Sequence, residues 1–331
     1  MLAVDTLPVS YFGKLPSRGD FVRTADNHPL MLQLDRWAGS GIELLAGDPD
    51  WKQLYDTAAP LHFAFLGSRS RVAIAGHFQP SRDATGRRFP FLTASRLEVA
   101  QPLAFMARSP LALARLWAGL ARTSRHAVES EDAREPLREL AENGVAVSAD
   151  ASVYDAPFND FLDMQDVGSL QGLLRDSGHA RLQLRWTLPA LGLLLQPLLA
   201  GGATRIDKAV ALPLPRDALY RPLVASLWLD LLAAFTARAD FELAVLLREG
   251  GPVEPAPQLI VGFNGADGRT LQAALDPRVA AEHVIRIDDA EWVADQVPGD
   301  YALNRLVSYL ERDDLSLRMA RAVFAETFLG T

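Results

Sequence analysis

The chain contains no cysteine among its 331 residues. Disulfide bonds, thiolate metal sites and a cysteine nucleophile are therefore excluded. Lysine is scarce as well: Lys14, Lys52 and Lys208 are the only ones, so arginine supplies nearly all of the positive charge. Arginine presents a planar fork that suits carboxylate and phosphate groups. High-GC codon usage gives the same bias without any functional meaning, and we favour that explanation.

Long hydrophobic runs are also missing. The most apolar stretch, WTLPALGLLLQPLLAGG at residues 186–202, is interrupted by Pro189, Gln196 and Pro197. Its uninterrupted part is too short to cross a hydrocarbon core of roughly 30 Å, so we expect a buried helix and no direct membrane insertion. The first residues, MLAVDTLPVSYFGK, lack the basic start and the apolar run of a secretory signal. We therefore expect a cytoplasmic protein.

The charge does not indicate a nucleic-acid partner. The chain has a net charge of −8, of which residues 1–99 carry +1 and the remainder −9. Proteins that bind nucleic acid present a basic face, so no nucleic acid is expected. A single hydrophobic core rarely grows beyond about 250–300 residues. The length of the chain therefore favours two lobes.

Helical and strand periodicities alternate along the chain. Helices are expected over residues 29–46, 51–57, 103–127, 135–142, 190–200, 222–237 and 270–275, with two more at the C-terminal end, the last from about residue 314. Strands are expected over residues 61–67, 71–78, 89–97, 180–188, 207–215, 241–249, 257–264 and 283–288. The alternation indicates an α/β fold, with a layered αβα sandwich as the N-terminal lobe and a second α/β lobe. The polar, irregular segment 143–160 separates the two, so the expected domains are residues 1–145 and 150–331.

The segment YFGKLPSRGDF, residues 11–21, contains two short patterns that have functional meanings elsewhere. It is not a Walker A loop, because leucine follows Lys14 and no glycine stands five residues before Gly13. The Arg-Gly-Asp tripeptide would need an exposed extracellular loop to act in adhesion, and we expect none. We favour a structural turn at Pro16 and Gly19, with Gly19 available for a positive φ angle. The aromatic residues at both ends would hold this turn in place.

A second loop, QPSRDATGRR at residues 79–88, concentrates charge before a predicted strand. The two loops together supply a candidate partner-binding set: Lys14, Arg18, Asp20, Arg82, Asp83, Arg87 and Arg88. These side chains could form a cationic rim for an acidic or phosphorylated partner. Alternatively, Arg18 clasps Asp20 or bonds to the second loop, and the arginines pair with the aspartates and backbone carbonyls. We favour this structural pairing.

No pattern typical of an enzyme is found. The glycines around Ser40 stand at the wrong offsets for a nucleophile elbow, and the segment has a helical pattern. The glycines of GFNGADG at residues 262–268 do not fit a dinucleotide-binding loop. His62 and His77 fall on neighbouring predicted strands and could meet, but we interpret them as structural because no acidic ligand cluster is evident beside them. We therefore expect no catalytic residue, metal or cofactor. The alternative is a hydrolase or a nucleotide-binding regulatory enzyme with its site between the lobes.

The two loops are similar to those of a known family. GKLPSRGDFVR, then a helix carrying LDRW, then PSRDATGRRFPF, resembles the TagF (ImpM) family of type VI secretion accessory proteins over roughly residues 10–130. The motifs occur in the right order at a suitable separation, although LDRW supplies only Asp35 and Trp37 of an expected W-D-x-W pattern. The second half looks like the C-terminal extension of some members.

The resemblance implies a cytoplasmic, non-catalytic protein that represses assembly of the secretion apparatus after translation. The implied partner is the forkhead-associated (FHA) scaffold protein of the same system. Some relatives carry a metal-dependent phosphatase, but GADG in this chain does not match its D-G-x-x-G motif. The scaffold could bind the arginine-bearing loops or the more acidic second half, and the sequence leaves both surfaces open.

Overall fold

The computed structural model describes residues 5–24, 26–142, 144–199, 206–237, 240–251 and 256–330. The strands in these ranges are β1 Asp5–Leu7, β2 Ser10–Gly13, β3 Val22–Arg23, β4 Leu61–Gly67, β5 Val72–Gln79, β6 Phe91–Glu98, β7 Val145–Val147, β8 Ala209–Pro213, β9 Glu242–Arg248, β10 Gln258–Gly262 and β11 Val284–Arg286. The α-helices are α1 His28–Leu45, α2 Trp51–Asp56, α3 Pro102–Glu129, α4 Arg134–Glu142, α5 Asp155–Met164, α6 Val167–Asp176, α7 Leu184–Leu195, α8 Tyr220–Thr236, α9 Gly268–Leu275, α10 Pro277–His283, α11 Tyr301–Leu310 and α12 Leu317–Leu329.

A nine-stranded sheet runs through the described molecule in the order β11-β8-β10-β9-β4-β5-β6-β2-β3. Neighbouring strands are antiparallel except β8 and β11, which are parallel. β4 and β9 join the N-terminal and C-terminal halves, from Leu61 opposite Arg248 to Gly67 opposite Glu242. Strands from both predicted domains thus share one sheet, and the independent folding of residues 1–145 and 150–331 stays a prediction.

Helices cover both faces of this sheet. Successive residues of β9 alternate between two cores: Leu243 and Val245 belong to one, and Ala244 and Leu246 to the other. The first core includes α3 and α8, which pack on each other, and the second includes α1 and α9. Because strand side chains alternate in direction, a strand that is apolar throughout must be buried on both faces. The predicted α/β class and the layered αβα arrangement are confirmed.

One predicted strand is wrong. Residues 180–188 alternate polar and apolar side chains, yet α7 begins within them. Its leucines at positions 184, 188, 191 and 195 recur at helical spacing and are all buried. The free energy gained by burying these leucines outweighs the strand preference of the short alternating pattern, because tertiary packing overrides local preference. Residue 200, the end of the apolar helix expected over 190–200, lies outside the described residues.

The segment expected to be irregular, residues 143–160, is largely ordered where it is described. It contains β7, a 3₁₀ helix at Ala151–Tyr154 and the start of α5. Phe158, Phe161 and Leu162 anchor α5 in the core, but acidic and polar neighbours mask that stripe in the sequence. The short helices α6 and α10 were not expected either. No helix in the described part of the chain is long and apolar enough to cross a membrane.

Candidate interaction site

The first of the two charged loops begins at a glycine that no other residue can replace without strain. Gly13 ends β2 with a φ angle of 139°. A Cβ atom at this position would lie 2.0 Å from the carbonyl oxygen of Pro90, at the start of the neighbouring strand. Glycine alone combines this backbone angle with such a close approach. Gly19, which was expected to have a positive φ angle, is not among the glycines that do, so that expectation is wrong.

The two loops are bonded to each other. The first loop comprises residues 14–21, between β2 and β3, and the second loop comprises residues 80–90, between β5 and β6. Three hydrogen bonds to backbone carbonyls join them, in addition to the ion pair of Lys14 with Asp83. The amide of Ala84 donates to the carbonyl of Arg18 at 2.8 Å, Arg87 Nη2 donates to the carbonyl of Gly19 at 2.8 Å, and Ser81 Oγ donates to the carbonyl of Lys14 at 2.7 Å. The expectation that the first loop bonds to the second is confirmed.

Asp83 is the centre of this junction. Its Oδ2 atom lies 2.9 Å from Nζ of Lys14 and accepts from Nε of Arg87 at 2.7 Å. Its Oδ1 atom accepts from the amide and hydroxyl of Thr85 and from the amide of Arg87, at 2.7 to 3.0 Å. The side chains of Asp83 and Lys14 are only 0% and 8% exposed. A buried carboxylate is tolerated when it is paired and fully hydrogen-bonded, as this one is.

The surroundings of Asp83 keep it ionised. Burial alone raises the pKa of its carboxyl group. The hydrogen bonds from Thr85, Lys14 and Arg87 outweigh burial and hold that pKa well below its usual range. Asp83 therefore stays negative at any physiological pH, and the junction stays closed.

The other predicted site residues divide into paired and exposed groups. Arg88 forms a two-pronged hydrogen bond with Asp56, which lowers the pKa of that carboxyl group. Arg18 lies 3.6 Å from Asp132 and does not clasp Asp20, whose carboxylate instead accepts from the amide of Phe21. The Arg18–Asp20 clasp is therefore wrong. Lys14 and Arg87 pair with the anticipated Asp83, Arg88 pairs instead with Asp56, and the side chains of Asp20 and Arg82 are exposed.

Three aromatic side chains at the ends of the loops pack on one another and support the loops. Phe12 and Phe21 stack at 5.3 Å, and Phe89 meets both rings edge-on at 5.8 and 5.0 Å. The Lys14 ammonium lies 5.0 Å from the centre of the Phe21 ring. Phe21 is nonetheless 42% exposed. It therefore presents an apolar surface at the rim of the loops.

A groove runs beside the two loops. It encloses about 470 Å³ and is lined by Pro16, Tyr55, Asp56, Pro80, Ser81, Arg82 and Val128. The Tyr55 hydroxyl donates to the carbonyl of Ser81 at 3.1 Å and accepts from its amide at 3.0 Å, so the floor is rigid. Sequence reasoning missed Tyr55, Asp56 and Thr85. Only Thr85 had a local signal, because an aspartate two residues before a threonine is typical of an Asx turn.

A pocket lies between the two halves of the chain, where the enzyme alternative would place its site. The pocket between β4, α3, α8 and the end of β9 has a volume of about 140 Å³. Its polar lining includes His62, Arg221 and Glu249, and its other walls are mostly apolar. Pockets for nucleotide-sized ligands usually measure roughly 300–1,000 Å³. This one is too small for a nucleotide.

The expected contact of His62 with His77 is present. Their Nδ1 atoms lie 3.2 Å apart, so one ring donates to the other, and both rings are buried. Burial, His77 and Arg221 lower the pKa of His62 well below its usual value, and burial lowers the pKa of His77 to about 4. Two neutral, mutually bonded rings suit the structural interpretation. No group of three or more possible metal ligands occurs in the described ranges.

Comparison with known proteins connects the loops to a family. Residues 10–143 match the family model of the TagF N-terminal domain, described as Type VI secretion system-associated. The matched segment includes both loops, strands β2 to β6 and helices α1 to α4.

Among solved structures, the crystal structure of PA0076 from Pseudomonas aeruginosa PAO1 is similar at 22% sequence identity, with a TM-score of 0.35. The similarity covers 42% of this chain and 64% of that one. The chain thus spans less than two thirds of the length of that structure. No curated protein matches the chain. Residues 10–143, less than half of the chain, therefore resemble the TagF N-terminal domain, which is described as type VI secretion system-associated.

Proposed function

We propose that the chain is a non-catalytic accessory protein of the type VI secretion system, which represses assembly of the apparatus after translation by binding the FHA-domain scaffold protein in the cytoplasm. The observation that carries this proposal is the TagF N-terminal domain over residues 10–143. The small volume of the pocket between the halves gives the enzyme alternative no support.

The joined loops are the surface that we propose for the scaffold. Asp83 holds Lys14 and Arg87 in fixed positions, so the loops do not need to be ordered when a partner binds. Preordered loops lose less conformational entropy on binding. Phe21 and Arg82 combine an exposed aromatic ring with an exposed guanidinium, the residue types that dominate the energy of protein interfaces. The groove beside Arg82 would receive a side chain of the partner.

The structure separates contact residues from bracing residues in this proposal. Arg87 and Arg88 are engaged with Asp83 and Asp56, so their removal would disturb the loops themselves. The side chain of Arg82 is exposed, and its charge contributes to the lowered pKa of the neighbouring Asp56 carboxyl group, after the larger effect of Arg88. Arg82 can therefore be changed with little effect on the fold. Phe21 also packs on Phe12 and Phe89, so thermal melting must verify that a variant at this position is folded.

The test is co-purification of a tagged FHA scaffold with the wild-type chain and with the Arg82→Ala/Phe21→Ala variant. We expect scaffold binding at least about tenfold weaker for the variant, because each residue supplies an anchor. Arg181→Ala is the matched control, since that arginine is 80% exposed and lies outside the TagF domain.

Each part of the proposal has its own contrary result. If the folded double variant retains full binding, the loops are not the surface, and the acidic second half becomes the candidate. If the wild-type chain does not bind the scaffold at all, the proposed partner is wrong. Turnover of a small compound by the pure chain would contradict the non-catalytic role.

A further inference from the structure

Helix α11 carries a polar face with exposed aromatic rings that its packing does not require. Leu303, Leu306, Val307 and Leu310 are buried on the opposite side, at most 6% exposed. On the outer side, Tyr301 is 84% exposed and Tyr309 is 38% exposed. Scattered apolar residues on a surface need no explanation, but these two rings are about two helical turns apart, at positions i and i+8. They therefore share one face.

Two rows of side chains, each with a four-residue spacing, enclose a groove on this face. One row holds Tyr301, Arg305 and Tyr309, and the other holds Asn304, Ser308 and Arg312. Residues four apart form ridges on a helix, and a groove lies between neighbouring ridges. The enclosed volume is about 440 Å³. The face lies outside residues 10–143, so the TagF domain does not account for it.

The groove lining is positively charged, within a half of the chain that is acidic overall. Of its six residues two are arginines and none is a carboxylate. Both arginines form ion pairs with carboxylates that do not line the groove. Arg305 pairs with Glu326 of α12, and Arg312 Nη2 lies 3.2 Å from Oδ2 of Asp314. Glu326 and Asp314 are 56% and 77% exposed. Exposed pairs of this kind contribute little, so a partner's carboxylate can replace either acid at low cost.

We infer that this groove binds an acidic peptide segment of a protein partner. Two guanidiniums can each receive a carboxylate, and the two phenol rings offer flat apolar surfaces between them. Arg312 lies two residues beyond the end of α11, in a turn that continues the helix through hydrogen bonds from Glu311 to Val307 and from Arg312 to Tyr309. At a helical rise of 1.5 Å per residue, it is roughly 10 Å from Arg305 along the helix axis. Three residues of extended chain span the same distance. The segment therefore carries acidic residues three positions apart. This inference does not depend on the identity of the partner in the proposed function.

The probe is a fluorescein-labelled peptide of sequence GESSESSEG, whose binding to the full chain is followed by fluorescence anisotropy. We expect binding to the wild-type chain, at least tenfold weaker binding to Arg305→Glu/Arg312→Glu, and a comparable loss for Tyr301→Ala/Tyr309→Ala. The matched control is Arg134→Glu/Arg138→Glu on α4, which changes the net charge equally at side chains that are 80% and 60% exposed. Thermal melting of each variant verifies that it is folded.

Several results would overturn the inference. Equal loss in the α11 and α4 charge variants would mean that the attraction is general rather than located in the groove. Unchanged binding of the tyrosine variant would remove the aromatic contribution, and equal binding of the glutamine analogue GQSSQSSQG would remove the requirement for acids. Tighter binding of a single-stranded RNA of the same charge would indicate a nucleic-acid surface instead. Absence of peptide binding to the wild-type chain would end the proposal.

Discussion

Lys14 and Asp83, from two loops that are far apart in the sequence, form an ion pair of 2.9 Å from which solvent is almost excluded. The pair lies where strand β2 leaves the sheet and where the chain turns into β6. Charged groups of this kind are costly to bury, and the hydrogen bonds around Asp83 offset that cost. The stability of the chain should therefore respond strongly to changes at this one carboxylate.

Asp83→Asn should destabilise the chain, although it preserves the shape of the side chain. The amide nitrogen of asparagine would face two donors, Lys14 and Arg87, and could accept from neither. We expect the melting temperature to fall by roughly 5–10 °C. Asp20→Asn is the control, because that exposed carboxylate accepts only from the neighbouring amide of Phe21. Equal melting temperatures for the two variants would contradict a bracing role for Asp83.

Gly13→Ala should be among the most damaging small changes in the first loop. Its Cβ atom would collide with the carbonyl of Pro90, and alanine is strained at a φ angle of 139°. We expect the free energy of unfolding to fall by about 2–3 kcal/mol in urea denaturation. Gly19→Ala serves as the comparison, because a Cβ atom there meets no atom within 4 Å. A loss at Gly19 as large as that at Gly13 would show that the close approach is not the cause.

These two glycines illustrate which features could be predicted from the sequence. Strand β4 begins and ends at the predicted residues, 61 and 67. Its apolar pattern and the hairpin turn after it lie within a few neighbouring positions of the sequence. A positive φ angle was anticipated at Gly19, in the turn that follows Pro16, whereas in this loop the structure has it at Gly13. What demands a glycine there is the approach of β6, a contact between distant parts of the chain. No local pattern reports such a contact.

The candidate site shows the same division. Both loops were identified from their charge and turn residues, and their contact was anticipated. Pairing of an arginine with Asp83 was anticipated too, and Arg87 makes it. Two other partners were not: Asp56 of helix α2, which binds Arg88, and Asp132, just before α4, which faces Arg18. Only the packing of those helices brings them near. Such long-range pairs depend on how the helices and strands are arranged in space. A single sequence predicts the fold class but not that arrangement.

The histidine pair should make stability depend on pH. Burial lowers the pKa of His77 to about 4 in the folded chain, against 6.5 when unfolded, so protons bind the unfolded chain first as the pH falls. His62 shifts in the same direction, because burial, His77 and Arg221 all disfavour its charge. Stability is therefore complete above pH 6.5 and is lost progressively down to about pH 4. His77 alone accounts for a loss on the order of 3 kcal/mol of unfolding free energy over this pH range.

Thermal melting between pH 7 and pH 4.5 measures this dependence. In His77→Gln the decline should be clearly shallower, since glutamine does not titrate and can still donate to His62. His126→Gln, a change at an exposed histidine of α3, should leave the decline as it is in the wild-type chain. Identical declines in all three proteins would show that carboxylates, rather than this pair, govern the acid sensitivity.

Helix α3 contains a proline whose missing hydrogen bond is replaced by a neighbouring hydroxyl. Pro110 lies inside the helix and cannot donate to the carbonyl of Met106, four residues earlier. Ser109 Oγ donates to that same carbonyl at 2.9 Å, and all three residues are buried.

Ser109→Ala should therefore cost about 1–2 kcal/mol of unfolding free energy, because it leaves a buried acceptor unsatisfied. In Ser109→Ala/Pro110→Ala, the amide of the new alanine restores the bond, and most of that loss should be recovered. A double-mutant cycle by urea denaturation measures the coupling; additive effects of the two substitutions would show that the serine hydroxyl does not substitute for the proline's absent donor.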